Sequence, residues 1–165
     1  MRIGKHILLL LLLASVLTGC GGEEPGAAER LGAILGDPDS LPAGTFYSSA
    51  VAPYEEGNAL TEELIAALYE RADGVLEYTG RVEEAAVYLS SGIEGDYLEV
   101  AVFTCYGSAD TEAVAAMCLR RAHLVARGGD LAPEDAFILR SGRTLYFCLG
   151  SDAALCARIA ARFAK

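Results

Sequence analysis

Five cysteines, two histidines and several adjacent acid pairs are the side chains here with chemistry to offer. Cys20 stands among small residues in Leu17-Thr18-Gly19-Cys20-Gly21-Gly22, where nothing bulky blocks a thiolate nucleophile. Glu55-Glu56, Glu62-Glu63, Glu83-Glu84 and Glu134-Asp135 are carboxylates of the type that cleave glycosidic bonds. That reaction needs two acids facing one another across a gap. Neighbours on a strand point to opposite faces and neighbours on a helix do not meet, so solvated surface is the default for every pair. His123 lies in a predicted helix beside Arg120 and Arg121, and no second histidine follows Cys20 to build the usual zinc site. Ser108 and Ser151 each follow a glycine, outside any Gly-x-Ser-x-Gly elbow, and read as helix caps. Asp37-Pro38-Asp39-Ser40 has alternating oxygens but lacks the length and closing glutamate of a calcium loop. No phosphate-binding or dinucleotide fingerprint occurs. Neither a metal nor a cofactor is expected.

The residues before Cys20 explain its setting. Arg2 and Lys5 precede an apolar run from Ile7 to Leu17. That run is too short for a spanning helix, which takes about 18 residues, and has the flanks of a secretory signal core. Leu17-Thr18-Gly19-Cys20 resembles the lipobox of bacterial lipoproteins at every position. The resemblance implies a signal peptide over residues 1–19 and a diacylglycerol on the sulfur of Cys20, which becomes the new N-terminus. Acyl chains such as palmitate then hold the chain to the cell membrane on its extracytoplasmic face, each buried CH₂ contributing about 0.8 kcal/mol. The alternatives are a plain secreted chain and an uncleaved membrane helix.

Charge narrows the partners. The chain has 13 Lys and Arg against 23 Asp and Glu, a formal net charge of −10. Nucleic acid is excluded as a partner, because phosphate contacts need a basic patch. The acidic surplus keeps a tethered domain soluble, or attracts a basic partner or loosely held cations. Cys105, Cys118, Cys148 and Cys156 follow in the domain. Export permits two disulfides among them, and burial as small hydrophobes is the other reading. Their spacing fits no zinc or iron–sulfur pattern, and no Cys-x-x-Cys is present. Eight tyrosines stand against no tryptophan. Tyr88, Tyr106 and Tyr146 fall on or at the end of predicted strands and form a candidate binding surface, with a core-edge role as the competing reading.

These residues need a scaffold. Residues 20–40 begin small, polar and acidic and are expected as a flexible, lipid-anchored tether, with a short helical turn at Leu31 to Leu35. The domain is expected over 41–165. Its approach drapes along the surface with Leu41 and Phe46 in contact. Thr61 caps a helix to Ala72 whose stripe is Leu64, Ile65, Leu68 and Tyr69. Ala85, Val87 and Leu89 alternate with Ala86, Tyr88 and Ser90 on a strand. Tyr97 to Tyr106, almost wholly apolar, is a central strand. A helix from Asp110 to about Ala126 follows, capped by Asp110 or Ser108, with Val114, Met117 or Cys118, and Arg121 on its candidate buried side. Ala136 to Arg140 and Thr144 to Leu149 form a hairpin, and a last helix carries Leu155, Ile159 and Phe163. VFTCYGSADTEAV echoes LYFCLGSDAAL. The pattern reads as a helix followed by ββα and ββα. The fold class is therefore α+β, a four-stranded antiparallel or mixed sheet with helices packed mainly on one face.

This order of features resembles a family of uncharacterised lipoproteins common in Firmicutes and classed as a domain of unknown function. Glu99, Ala101, Val102 and Phe103 match its strand, and Asp110, Val114, Leu119 and Arg121 its helix, over roughly residues 40–165. The resemblance implies location and fold, and transfers no site. The function expected is a membrane-anchored binding or accessory module for an envelope protein, peptide or glycan. An envelope carbohydrate or peptidoglycan hydrolase using paired carboxylates, and a purely structural domain, are the alternatives.

Overall fold

A computed structural model describes residues 24–51, 58–69, 76–92, 96–127 and 131–163. The expected signal peptide, Cys20, Tyr54, Glu55-Glu56, Asp73-Gly74 and Gly128-Gly129-Asp130 lie outside them. The chain is α+β, built on a five-stranded antiparallel sheet in the order β1-β2-β3-β5-β4. The strands are β1 (Gly44–Ser48), β2 (Val82–Ser90), β3 (Leu98–Cys105), β4 (Phe137–Ser141) and β5 (Thr144–Gly150). Every residue of β3 is buried, which its apolar run demands of a strand covered on both faces. The expected four strands become five because Gly44–Ser48 pairs with β2. Gly44 makes that pairing possible: a Cβ there would stand 2.6 Å from the Leu89 carbonyl oxygen. Leu41 and Phe46 pack on the core as expected.

Helices cover both faces of the sheet, not mainly one. Ala85, Val87, Ala101, Phe103, Leu145 and Phe147 meet α2 (Glu62–Leu68) and α3 (Asp110–Ala126). Ala86, Val100, Val102 and Cys148 meet α1 (Ala27–Leu35), α4 (Ala153–Ala160) and Phe163. The internal echo explains the discrepancy. It aligns Cys105 with Cys148, yet Cys105 faces the α2–α3 core and Cys148 faces the α1–α4 core. The two ββα units therefore send their helices to opposite faces. Gly150 admits α4, since a Cβ there would meet the Cys156 sulfur at 2.9 Å.

The tether expected over residues 20–40 is part of the fold from Ala27 onward. Ala27, Leu31, Ile34 and Leu35 recur at helical spacing and are buried. Gly36, at φ 73°, ends the helix. Arg162 Nη1 donates to the carbonyl oxygens of Ile34 (2.7 Å) and Leu35 (3.0 Å), pinning the C-terminal end of α1.

Local signals account for the other elements. Thr61 Oγ1 accepts from the Leu64 N–H at 3.2 Å, and Leu60 and Ile65 are buried together as a staple. Asp152 Oδ1 accepts from the Leu155 N–H and opens α4. At α3 the expected cap differs: Ala109 holds the N-cap position, and Asp110 folds back to accept from the Gly107 N–H. The β4–β5 hairpin turns through Gly142-Arg143, with Gly142 at φ 58° as so short a loop requires.

Candidate functional site

Among the described residues, two clusters of charged side chains lie on opposite faces of the sheet. On the α2–α3 face, Glu99 of β3 is completely buried. A carboxylate there must be paired and hydrogen-bonded. Arg121 of α3, its side chain largely buried, donates from Nε to Glu99 Oε2 at 2.8 Å. The Tyr69 hydroxyl, at the end of α2, donates to Oε1 at 2.8 Å, and the Tyr97 hydroxyl donates to Oε2. Arg121 Nη2 also donates to the Tyr97 hydroxyl at 3.2 Å. Burial and then the Glu99 charge push the Tyr69 phenol well above its ordinary range, and the same two causes raise Tyr97. Burial alone would lower the Arg121 guanidinium, but Glu99 and Tyr97 outweigh it. The carboxylate, guanidinium and neutral phenols therefore lock β3, α2 and α3 together. A ligand cannot reach Glu99 in this packing, so the cluster acts as a clamp.

On the other face, one end of the sheet is open. The register of β2 against β3 skips a residue between Val82 and Glu84, forming a β-bulge. Val82 and Ala85 both enter the α2–α3 core, and Glu83 and Glu84 both line a cleft of 400 Å³. The bulge thus overrides the alternation by which adjacent strand residues diverge. Arg143, from the β4–β5 turn, pairs with Glu83. Its Nη2 lies 3.6 Å from Glu24, which also stands 3.8 Å from Arg30 Nη2. Among the described residues Glu84 makes no ion pair, and Thr104 Oγ1 has no hydrogen-bond partner although Thr104 is only 8% exposed. Ser49, nearby, is already engaged: its Oγ accepts from the Ala85 N–H at 2.8 Å.

The expected tyrosine surface is not assembled. Tyr146 is buried and stacks on Phe163 with ring centroids 5.3 Å apart. It lines a neighbouring groove of 430 Å³ with Arg30 and Arg162. Tyr88 is half-buried on the same face and donates to the Pro42 carbonyl oxygen. Tyr106 is 63% exposed beyond the end of β3, apart from both. All four described cysteines are free thiols and buried, so burial rather than disulfide formation describes them. Cys148 hydrogen-bonds to Cys156, which raises the Cys148 thiol and lowers that of Cys156. His123 is exposed. Among the described residues no group of three or more His, Cys, Asp or Glu could hold a metal ion, and no helix is long and apolar enough to cross a membrane.

The sequence marked neither Glu99 as a buried ion-pair member nor Glu24, Arg30, Thr104 and Arg143 as cleft residues. Glu99 carried a signal, as the one charge in an otherwise apolar strand, and a charge so placed requires a partner. Thr104 carried none, because threonine is ordinary in strands. Comparison with protein families, with curated proteins and with solved structures gives no match. The likeness to the Firmicutes lipoproteins rests on the residues quoted for it.

Proposed function

We propose that this chain is a lipid-anchored binding module of the extracytoplasmic membrane face, held through acyl chains on Cys20, whose cleft beside the β2 bulge receives an envelope component. One observation carries the reading. Glu24, Pro25 and Gly26 form a wall of the cleft, and only Gly21, Gly22 and Glu23 separate Glu24 from Cys20. Those four steps of chain reach at most about 14 Å. With Cys20 at the bilayer, the cleft opens close to the membrane surface and to whatever lies against it. Membership of the Firmicutes-type lipoprotein family belongs to the same proposal.

Metabolic labelling with radioactive palmitate, followed by membrane fractionation, tests the anchor. The full chain is expected to take label and sediment with membranes, and Cys20→Ala to do neither. Label retained in Cys20→Ala would overturn the anchor. Binding is tested by capture of envelope fractions on the full chain with and without Glu84→Gln. Turnover of wall oligosaccharides, abolished by both Glu83→Gln and Glu84→Gln, would replace the binding reading with hydrolysis.

A further inference from the structure

We propose that the cleft binds a small zwitterion, its primary ammonium held by Glu84 and Thr104 and its anionic end by Arg30 and Arg143. The inference rests on the cleft being a binding site and is independent of the anchor. Glu84 and Thr104 are register partners on β2 and β3, both lining the cleft. Directly opposed strand residues have Cβ atoms about 4.5–5.5 Å apart, close enough for one ligand atom to meet both side chains. The two side chains supply a carboxylate without an ion pair and a buried hydroxyl without a hydrogen bond, among the described residues. A primary ammonium has three donors and no acceptor, and satisfies both groups at once while neutralising the charge. Gly26 lets the Glu84 carboxylate lie against the start of α1: a Cβ there would stand 2.8 Å from Glu84 Oε1.

The anionic end follows from Glu24. Its side chain is 69% exposed and touches Arg143 and Arg30 only at 3.6 and 3.8 Å. Such exposed pairs contribute little, so a ligand anion can take the place of Glu24 between the two guanidinium groups. Both arginines are held ready by other bonds. Arg30 Nε donates to the Pro25 carbonyl oxygen at 2.8 Å and its Nη1 to the Tyr146 hydroxyl at 3.4 Å, while Arg143 pairs with Glu83. Preorganisation of this kind reduces the entropy lost on binding. The volume of 400 Å³ lies within the range of small-molecule clefts, about 300–1,000 Å³.

Calorimetric titration of the full chain in non-ionic detergent tests the inference, with O-phosphoethanolamine as probe and phosphocholine as its counterpart. Phosphocholine has the same charges, but its methylated nitrogen cannot donate. O-phosphoethanolamine is expected to bind saturably and phosphocholine at least about tenfold more weakly. Thr104→Val should weaken O-phosphoethanolamine by about tenfold with no loss of thermal stability, and Glu84→Gln by more. Equal affinity for the two probes, or a Thr104→Val variant that binds like the parent, would overturn the proposal. Competition by nanodiscs of phosphatidylethanolamine, but not phosphatidylcholine, identifies the zwitterion as a lipid headgroup. Binding of the free probe without such competition identifies a soluble zwitterion, and the proposal stands in both cases. No binding of any probe overturns the zwitterion, whereas capture of an envelope component that Glu84→Gln abolishes would still uphold the binding reading.

Discussion

Glu99 and Glu84 are carboxylates on neighbouring strands of one sheet, facing opposite sides of it. Glu99 is fully buried, and both its oxygens are taken by two tyrosines and an arginine. Glu84 is half-buried, without an ion pair among the described residues, across from a threonine whose hydroxyl is unpartnered. The difference comes from what covers them. Over Glu99 lie α2 and α3, long enough in side chain to bring Tyr69 and Arg121 onto it. Over Glu84 lies the first turn of α1, which begins at a glycine. A saturated buried carboxylate fixes structure. An open one with a free hydroxyl beside it has capacity left for a ligand.

The contrast breaks most visibly at Arg121. Arg121→Met removes the cation and leaves Glu99 charged in the core, and a broken buried pair costs about 3–5 kcal/mol. Denaturant unfolding should show a loss of that size. Glu99→Leu combined with Arg121→Met should recover most of it, because both charges then leave together. Alkaline pH attacks the same cluster. The Tyr69 phenol is raised well above its ordinary range in the folded chain, so its contribution is complete below the unfolded value of about 10. Above that pH the unfolded chain loses the proton first, and stability falls by about 1.4 kcal/mol per pH unit for this group. Stability measured against pH should therefore break downward near 10, and Tyr69→Phe should soften the break. At neutral pH Tyr69→Phe removes one hydrogen bond to a charged acceptor, with an expected loss of about 1.5–3 kcal/mol.

How much of this contrast was legible in sequence differs between its halves. The strands β2 and β3, the hairpin and the helices α2 to α4 follow from periodicity, because each has a continuous apolar stripe, and at α2 a side-chain cap marks the start as well. Glu99 announces a buried charge, but its partners Tyr69 and Arg121 come from separate helices, and only tertiary packing joins them. The bulge at Glu83 is a one-residue slip of phase. Val82 stands three residues before Ala85, and both are core, which strict alternation forbids. That misfit was present in the sequence, but two charged residues inside it read as plain surface. Only the second half of helix α1 was legible, as the turn at Leu31 to Leu35; its first half was hidden by composition, since small and polar residues there look like a linker. Strand position fixes a face but not exposure, so Tyr146 is buried, Tyr88 half-buried and Tyr106 exposed, and the three do not share one open surface.

At Thr104 the expected effect on stability is small and of opposite sign. Thr104→Val replaces an unpartnered buried hydroxyl with a methyl of similar shape. An unsatisfied polar group is a burden in the folded state, so thermal unfolding should show no loss, and a gain of up to about 1 kcal/mol. A clear loss would mean that the hydroxyl holds the fold together, and the two sites would then be alike.

Arg143 gives the smallest effect and the finest test of the comparison. Its guanidinium pairs with Glu83 and lies 3.6 Å from Glu24, so it has more acidic neighbours than Arg121 has. Yet its side chain is 42% exposed against 12% for Arg121, and water replaces what a substitution removes. Exposed pairs of this kind contribute about 0–1 kcal/mol. Arg143→Gln also keeps the backbone carbonyl that accepts from the Cys105 N–H, so the hairpin retains its attachment to β3. Denaturant unfolding of Arg143→Gln should match the parent within about 0.5 kcal/mol, while Arg121→Met loses several. Comparable losses for the two variants would show that exposure does not separate the sites, and the cleft would have to be read as a second clamp.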